Sequence, residues 1–204
     1  MLKFKKIKGN FVHPTAVINW KSLVIGKGNT IGPYVVIGNQ AQWKNKKNSG
    51  KIIIGNRNVF NEYTNIHLPT TLKKKTYIGN DNYVMNSTTI DHDCHIEDNI
   101  ILSSNVILGG NVYVMKHANL GIKSIVHQNQ IIGSYSMIGM GSIVPKTKKI
   151  LPGYIYFGKP IKKIKKNTLS LKKNKINYKK LMLENIRFKK ILKQNERDRN
   201  FITI

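Results

Sequence analysis

The feature that most constrains this chain is a six-residue period. Stepping by six from Ile54 gives Phe60, Ile66, Leu72, Ile78, Val84, Ile90, Ile96, Leu102 and Leu108, then Val114, Leu120, Val126, Ile132, Ile138 and Val144, without a miss. A shorter run, Ile25, Ile31 and Ile37, carries the same period out of phase. Neither the 3.6-residue repeat of a helix nor the alternation of an ordinary strand produces this spacing. It is the signature of a hexapeptide β-helix, in which each hexad supplies one short strand and one corner. About three hexads close a triangular coil, and the aliphatic anchors point inward and stack from coil to coil. The residue after the anchor is often glycine, as at Gly26, Gly55, Gly79, Gly109, Gly121 and Gly133, because the corner leaves little room beside the backbone.

The interruptions are informative too. The phase break between Ile37 and Ile54 holds a polar, basic stretch and reads as a loop ejected from the coil over 39–51. A second polar stretch, Pro69 to Thr76, keeps the period through Leu72 and is expected to bulge without breaking register. After Val144 the period stops, and Pro145, Pro152, Gly153 and Pro160 mark an exit from the coil. Tyr178, Leu181, Met182, Phe188, Ile191 and Leu192 form an imperfect helical stripe, which predicts one helix near 176–195. That stripe must pack on the coil or on another subunit. The expected organisation is a β-helix domain over 1–158 and a short, basic, helical extension over 159–204.

Charge is the tempting clue, since the formal net charge is +26. Lys occurs 31 times, Ile 30 and Asn 24, a bias that AT-rich codons produce without selection for a partner. No nucleic-acid-binding motif accompanies the charge, so nucleic acid is not an expected partner. No apolar run is long enough to span a membrane. The basic start, Met1 to Asn10, has no apolar stretch behind it and is not a secretory signal. The single cysteine, Cys94, permits no intramolecular disulfide and fits a reducing cytoplasm.

The chemistry concentrates around His92. In coils of roughly eighteen residues, His92, Gly110 and Gln128 form a column, with His127 beside Gln128 and with Asp91 and Asp93 flanking the histidine. A carboxylate can orient an imidazole and support its charged form, which makes His92 a candidate general base. Adjacent strand residues point to opposite faces, so His92 and a flanking aspartate can meet only at a corner or bulge. The same residues would also suit a solvent-facing wall. A metal site from His92, His95 and His127 lacks a completing carboxylate or cysteine cluster, and no metal is expected. Cys94 reads as a small buried residue rather than a nucleophile.

At these residues the sequence resembles a known family. Thr88-Thr-Ile-Asp-His-Asp-Cys94, Leu108-Gly-Gly-Asn111 and Ile125-Val-His-Gln128 resemble the UDP-N-acetylglucosamine acyltransferases of lipid A biosynthesis. Phe11-Val-His-Pro-Thr-Ala16 and Asn65-Ile-His-Leu-Pro-Thr70 look like that family's opening and I-H-x-x-T segments, so the likeness covers roughly residues 11–158. The resemblance implies a left-handed parallel β-helix, a homotrimer with sites between subunits, and no cofactor. It implies transfer of a 3-hydroxyacyl chain from acyl carrier protein to the 3-hydroxyl of UDP-N-acetylglucosamine, the first step of lipid A biosynthesis.

Residue by residue, the resemblance makes His92 the general base, Asp93 its supporting acid and Gly110 the donor to the thioester oxyanion. His67, His127 and Gln128 match positions lining the substrate groove, and Met85 and Met140 match positions along the acyl channel. Thr89 and Asn111 stand in the same groove where the family has further histidines. The family's loop aspartate is missing from Gln42-Trp-Lys-Asn-Lys-Lys47, where only lysines could substitute. These departures fall on acceptor recognition. They leave open an N- or O-acyltransferase that uses acyl-CoA or acetyl-CoA on another nucleotide-linked amino sugar. A non-catalytic β-helix scaffold is the remaining reading. Anionic clients for part of the charge would be the nucleotide diphosphate and an acidic carrier protein.

Overall fold

The computed structural model describes residues 3–44 and 50–200, with only the backbone described for 197–200. The hexads wind into a left-handed parallel β-helix of triangular section. Among the described residues its first face has ten strands, from Lys5–Ile7 to Lys162–Lys166. The second face has seven, from Val17–Ile18 to Ile143–Val144, and the third has six, from Leu23–Ile25 to Ile131–Ile132. The chain visits the faces in that order, coil after coil. Ile78 lies beside Ile96, Ile96 beside Val114, and Val114 beside Ile132, which is the eighteen-residue coil. These anchors are fully buried. Each such side chain contributes about 1.5–3 kcal/mol of hydrophobic stabilisation.

The first coil has nineteen residues, from Val12 to Ile31, and the next two are much longer. Ile25 pairs with Ile54, and the excess of eleven residues is the ejected loop, bounded at 40–50 by the strands Val36–Asn39 and Lys51–Ile54. Its residues 45–49, which include most of the lysines expected to meet substrate, lie outside the described residues. Ile54 in turn pairs with Ile78, twenty-four positions on, so six residues are inserted there. Leu72 belongs to this insertion and is 79% exposed, not an anchor. An insertion of six preserves the count, so the periodicity runs through a loop without registering it.

The period also continues past Val144. Ile150 bridges Ile132, and Tyr156 lies beside Ile138, both buried. The prolines that suggested an exit sit outside the short strands, where no ladder bond is lost. Tyr156 fills an anchor site with an aromatic ring whose hydroxyl oxygen accepts the Leu151 N–H at 2.9 Å.

The corners repeat a backbone device. From Asp81 to Gly141, the third residue after each anchor has positive φ, including Asp93, Asn99, Asn105, Asn111 and Asn129. Asn and Asp tolerate this left-handed conformation better than most residues. The glycine after the anchor serves a different need. A Cβ on Gly133 would stand 2.4 Å from the Pro152 nitrogen of the next coil. Inside the first coils, Asn10, Asn29, Asn58 and Asn82 form a buried ladder. In it, Asn29 Nδ2 donates to Asn10 Oδ1 and Asn58 Nδ2 to Asn29 Oδ1, both at 2.9 Å.

Tyr154–Phe157, a strand of the last coil, pairs antiparallel with Lys162–Lys166, and beyond it follow α1 (Thr168–Lys173) and α2 (Tyr178–Asn200). The stripe places α2 close to its predicted span, while α1 is too short to show a period. Helix α2 packs on the third face, where Phe188 is buried with Met115 and Ile131. Arg187 clasps the Glu97 carboxylate through both terminal nitrogens, and Glu184 accepts from Ser134 Oγ at 2.6 Å. Tyr178 and Met182, also in the stripe, remain exposed. No helix among the described residues is long and apolar enough to cross a membrane.

Candidate active site

The site lies on the edge between the second and third faces. The strand Thr89–Ile90 ends there, and His92 and Asp93 make the turn before His95–Ile96 begins. Asp93 has φ 61°, so neighbouring side chains converge instead of alternating. His92 Nδ1 lies 2.9 Å from Asp93 Oδ2, and both side chains are almost fully buried. The contact foreseen only for a corner is therefore made, and Asp93 is the partner.

The insertion ahead of this coil holds Asp93 in turn. Thr70 N–H donates to Oδ1 at 3.0 Å, and Thr70 Oγ1 and Lys74 Nζ donate to Oδ2 at 2.8 and 3.2 Å. Burial opposes the charge on Asp93, but the bonds from His92 and Thr70 and the Lys74 ammonium outweigh it and hold the carboxyl at about 2. Asp91 serves a second histidine. Its Oδ1 lies 2.9 Å from His67 Nδ1 and accepts the His92 N–H at 2.7 Å. Burial also opposes the Asp91 charge, and these contacts bring its carboxyl below the ordinary range.

Gly110 lies directly under the His92 ring. A Cβ there would be 2.3 Å from Cε1 and 2.5 Å from Nε2, so the imidazole occupies the room a side chain would need. The expected column is real, since Asn111 N–H donates to His92 O at 2.8 Å and Asn129 N–H to Gly110 O at 2.9 Å. Among the described residues the Gly110 N–H has no acceptor. Gln128 is exposed at the foot of the column. His127, also exposed, has Nδ1 2.9 Å from Gln128 O. Asn111 Nδ2 donates to Asn129 Oδ1 at 2.8 Å, and Thr89 is half-buried on the second face between Asn65 and Ile107.

Other predicted members stand elsewhere. Met85 and Met140 lie on the edge between the first and second faces, so one chain does not bring them to His92. His95 is on the third face, stacked between Tyr77 at 4.6 Å and Tyr113 at 4.3 Å, and does not join His92 and His127. Cys94 is fully buried, which pushes its thiol well above the ordinary range and disfavours a thiolate. Three contributors escaped the sequence reading: Thr70 as a ligand of Asp93, Lys74, and Trp43 of the ejected loop. The Trp43 ring meets His92 edge-on at 5.4 Å. Their one available signal was that both long coils fall just before the His92 corner.

This arrangement is a buried carboxylate–imidazole pair beside a backbone N–H that has no acceptor among the described residues. No family model matches the chain. A curated acyl-[acyl-carrier-protein]–UDP-N-acetylglucosamine O-acyltransferase from Burkholderia orbicola is 41% identical over 120 residues, 58% of this chain and 46% of that protein. The chain resembles the UDP-N-acetylglucosamine acyltransferases. It spans about half the length of the curated relatives it matches. A solved UDP-N-acetylglucosamine acyltransferase from Bacteroides fragilis superposes with a TM-score of 0.78 at 27% identity, covering 86% of this chain and 68% of that one. The LpxA structure from Acinetobacter baumannii gives 0.65 at 26% identity, covering 89% and 81%. In structure the likeness covers 86–89% of this chain, against 58% aligned in sequence.

Proposed function

We propose that the chain is an acyltransferase that moves a 3-hydroxyacyl group from acyl carrier protein to the 3-hydroxyl of UDP-N-acetylglucosamine, as the names of its relatives suggest. The observation that carries this reading is the His92 imidazole, oriented by Asp93 and seated over Gly110. A sugar hydroxyl is too weak an acid to ionise unaided. In this mechanism His92 Nε2 takes its proton as the oxygen attacks the thioester carbon, a general-base step worth about 10²–10⁴-fold. Asp93, ionised throughout the physiological range, stabilises the imidazolium that forms. The Gly110 N–H donates to the tetrahedral oxyanion, a contribution of about 3 kcal/mol. Collapse expels the thiolate, and the proton on His92 returns to it.

His67, Thr89, Asn111, His127 and Gln128 supply the polar lining for the sugar. Met85 and Met140 serve the acyl chain from a neighbouring copy. Exposed Tyr83 and Ile101 on the first face, and Ile107, Ile125 and Ile143 on the second, flank the methionine edge. A ring of three copies would bury these stripes in a heterologous contact and set one chain's methionine edge against the next chain's His92 edge. Thr89 and Asn111, standing where the family has histidines, favour a second reading in which the acceptor is another nucleotide-linked amino sugar, acylated on O or N. Mass spectrometry after incubation with UDP-N-acetylglucosamine, its 3-amino analogue and 3-hydroxyacyl carrier protein or acyl-CoA tests both. The expected product is the O-acylated sugar, lost in His92→Ala. No acylated product with any acceptor, or unchanged transfer by His92→Ala, overturns the proposal.

A further inference from the structure

We propose that Lys74 is a positioning residue that sets the pH range over which His92 is a free base, acting through Asp93. The inference rests on the reading of His92 as the base. It starts from the six-residue insertion between Ile54 and Ile78, which the remaining coils lack. The insertion returns to the coil at Thr76, whose Oγ1 donates to His67 O at 3.0 Å and accepts the Asp93 N–H at 3.1 Å, while its own turn is closed by Lys74 N–H donating to Thr71 O at 3.2 Å. That path carries the Lys74 ammonium to the same oxygen, Asp93 Oδ2, that faces His92 Nδ1. With bonds of 3.2 and 2.9 Å meeting at one atom, the ammonium is at most 6.1 Å from the imidazole nitrogen.

A lone carboxylate beside an imidazole favours its protonated form, which is useful in the transition state but idles the base beforehand. A cation on the shared oxygen offsets that pull and keeps His92 available at lower pH. Among the described residues the other groups facing His92 are Asp91 on its own corner, His67 through Asp91, and the Trp43 ring. A Lys74→Met substitution leaves all of these in place. The lysine side chain is 39% exposed, so the substitution is tolerable to the fold and solvent moderates the effect.

The experiment is an NMR titration of the His92 imidazole in the full chain, with the pH profile of kcat/KM measured beside it. In Lys74→Met the titration midpoint and the acid limb should both move up by about 0.5–1 pH unit, the size expected of a charge ~6 Å away in a partly aqueous setting. Lys74→Arg should restore the parent behaviour. A Lys74→Met titration that superimposes on the parent's overturns the inference, as does a midpoint that moves while the acid limb stays. A purely structural lysine would change the melting temperature and neither readout. The titration needs no substrate, so failure of the acyltransfer reading would appear separately, as parent protein and His92→Ala giving the same product yield.

Discussion

Gly110→Ala isolates the geometry of the proposed base. Gly110 does not have positive φ, so alanine meets no backbone strain there. The new methyl carbon would fall 2.3 Å from His92 Cε1, 2.5 Å from Nε2 and 2.9 Å from Nδ1. Ordinary carbon contacts lie near 3.5–4.0 Å, so the ring must move by about 1 Å or more. A shift of that size breaks the 2.9 Å bond to Asp93 Oδ2. Misplacement by about 1 Å costs about 10²-fold in a positioned reaction. Asp93 keeps its bonds from Thr70 and Lys74, so the stability loss is about 1 kcal/mol, or about 2–4 °C in a chain of this size. Steady-state transfer to the UDP-sugar and a thermal melt check the two halves. Gly109→Ala is the contrast, because its Cβ would meet the Gln128 backbone nitrogen at 2.8 Å and should harm folding first. A Gly110→Ala enzyme within threefold of the parent rate would refute the claim that this contact holds the imidazole in place.

Acid stability should report Asp93. Its carboxyl is depressed from 3.8 to about 2, so its contribution is full above pH ~4 and is lost as pH falls through about 2. Denaturant melts of the parent should lose about 2 kcal/mol over that window, and Asp93→Asn should lose correspondingly less; parallel curves would contradict the assignment. Phe188→Ala should cost about 3–5 kcal/mol and loosen α2, seen as faster amide exchange along that helix, since the ring is buried against Met115 and Ile131. Met140 is 65% exposed on one chain, and in the proposed trimer its side chain would fill the acyl channel. A series of acyl-carrier-protein donors should therefore favour shorter chains in the parent and longer ones in Met140→Gly, and a preference of the parent for the longest chains would contradict this.

The fold was legible because a β-helix repeats one constraint at every turn. Ile78, Ile96, Val114 and Ile132 each answer to the same inward position, so each hexad tests the others. The column His92, Gly110 and Gln128 followed from coil length alone. What escaped was whatever the repeat does not govern. Leu72 kept the count inside a six-residue insertion, and Tyr156 kept the position with the wrong chemistry. Thr70 and Lys74 were invisible as ligands of Asp93 because only the path of that insertion brings them back to the corner. Asp91 and Asp93 both flank His92 in sequence, and only the corner separates them, leaving Asp93 on the His92 ring and taking the Asp91 carboxylate to His67 on the coil above.

The composition can now be divided by physical cause. Asparagine abundance reads from sequence as codon bias, but asparagine occupies left-handed corners at 99, 105, 111 and 129 and the buried ladder at 10, 29, 58 and 82. Those positions select for a short amide that tolerates positive φ or bonds along the stack, so much of the asparagine is architectural. Lysine divides differently. Lys162, Lys163, Lys165 and Lys166 are exposed on a single strand, Lys163 with its ammonium over the Tyr154 ring, consistent with bias in a solvated extension. Among the described residues Lys74 and Lys116 are each fixed on a carboxylate, Asp93 in the one case and Glu184 of α2 in the other. The charge of +26 therefore includes individually placed cations, Lys74 aimed at the proposed base and Lys116 and Arg187 holding the helix to the coil.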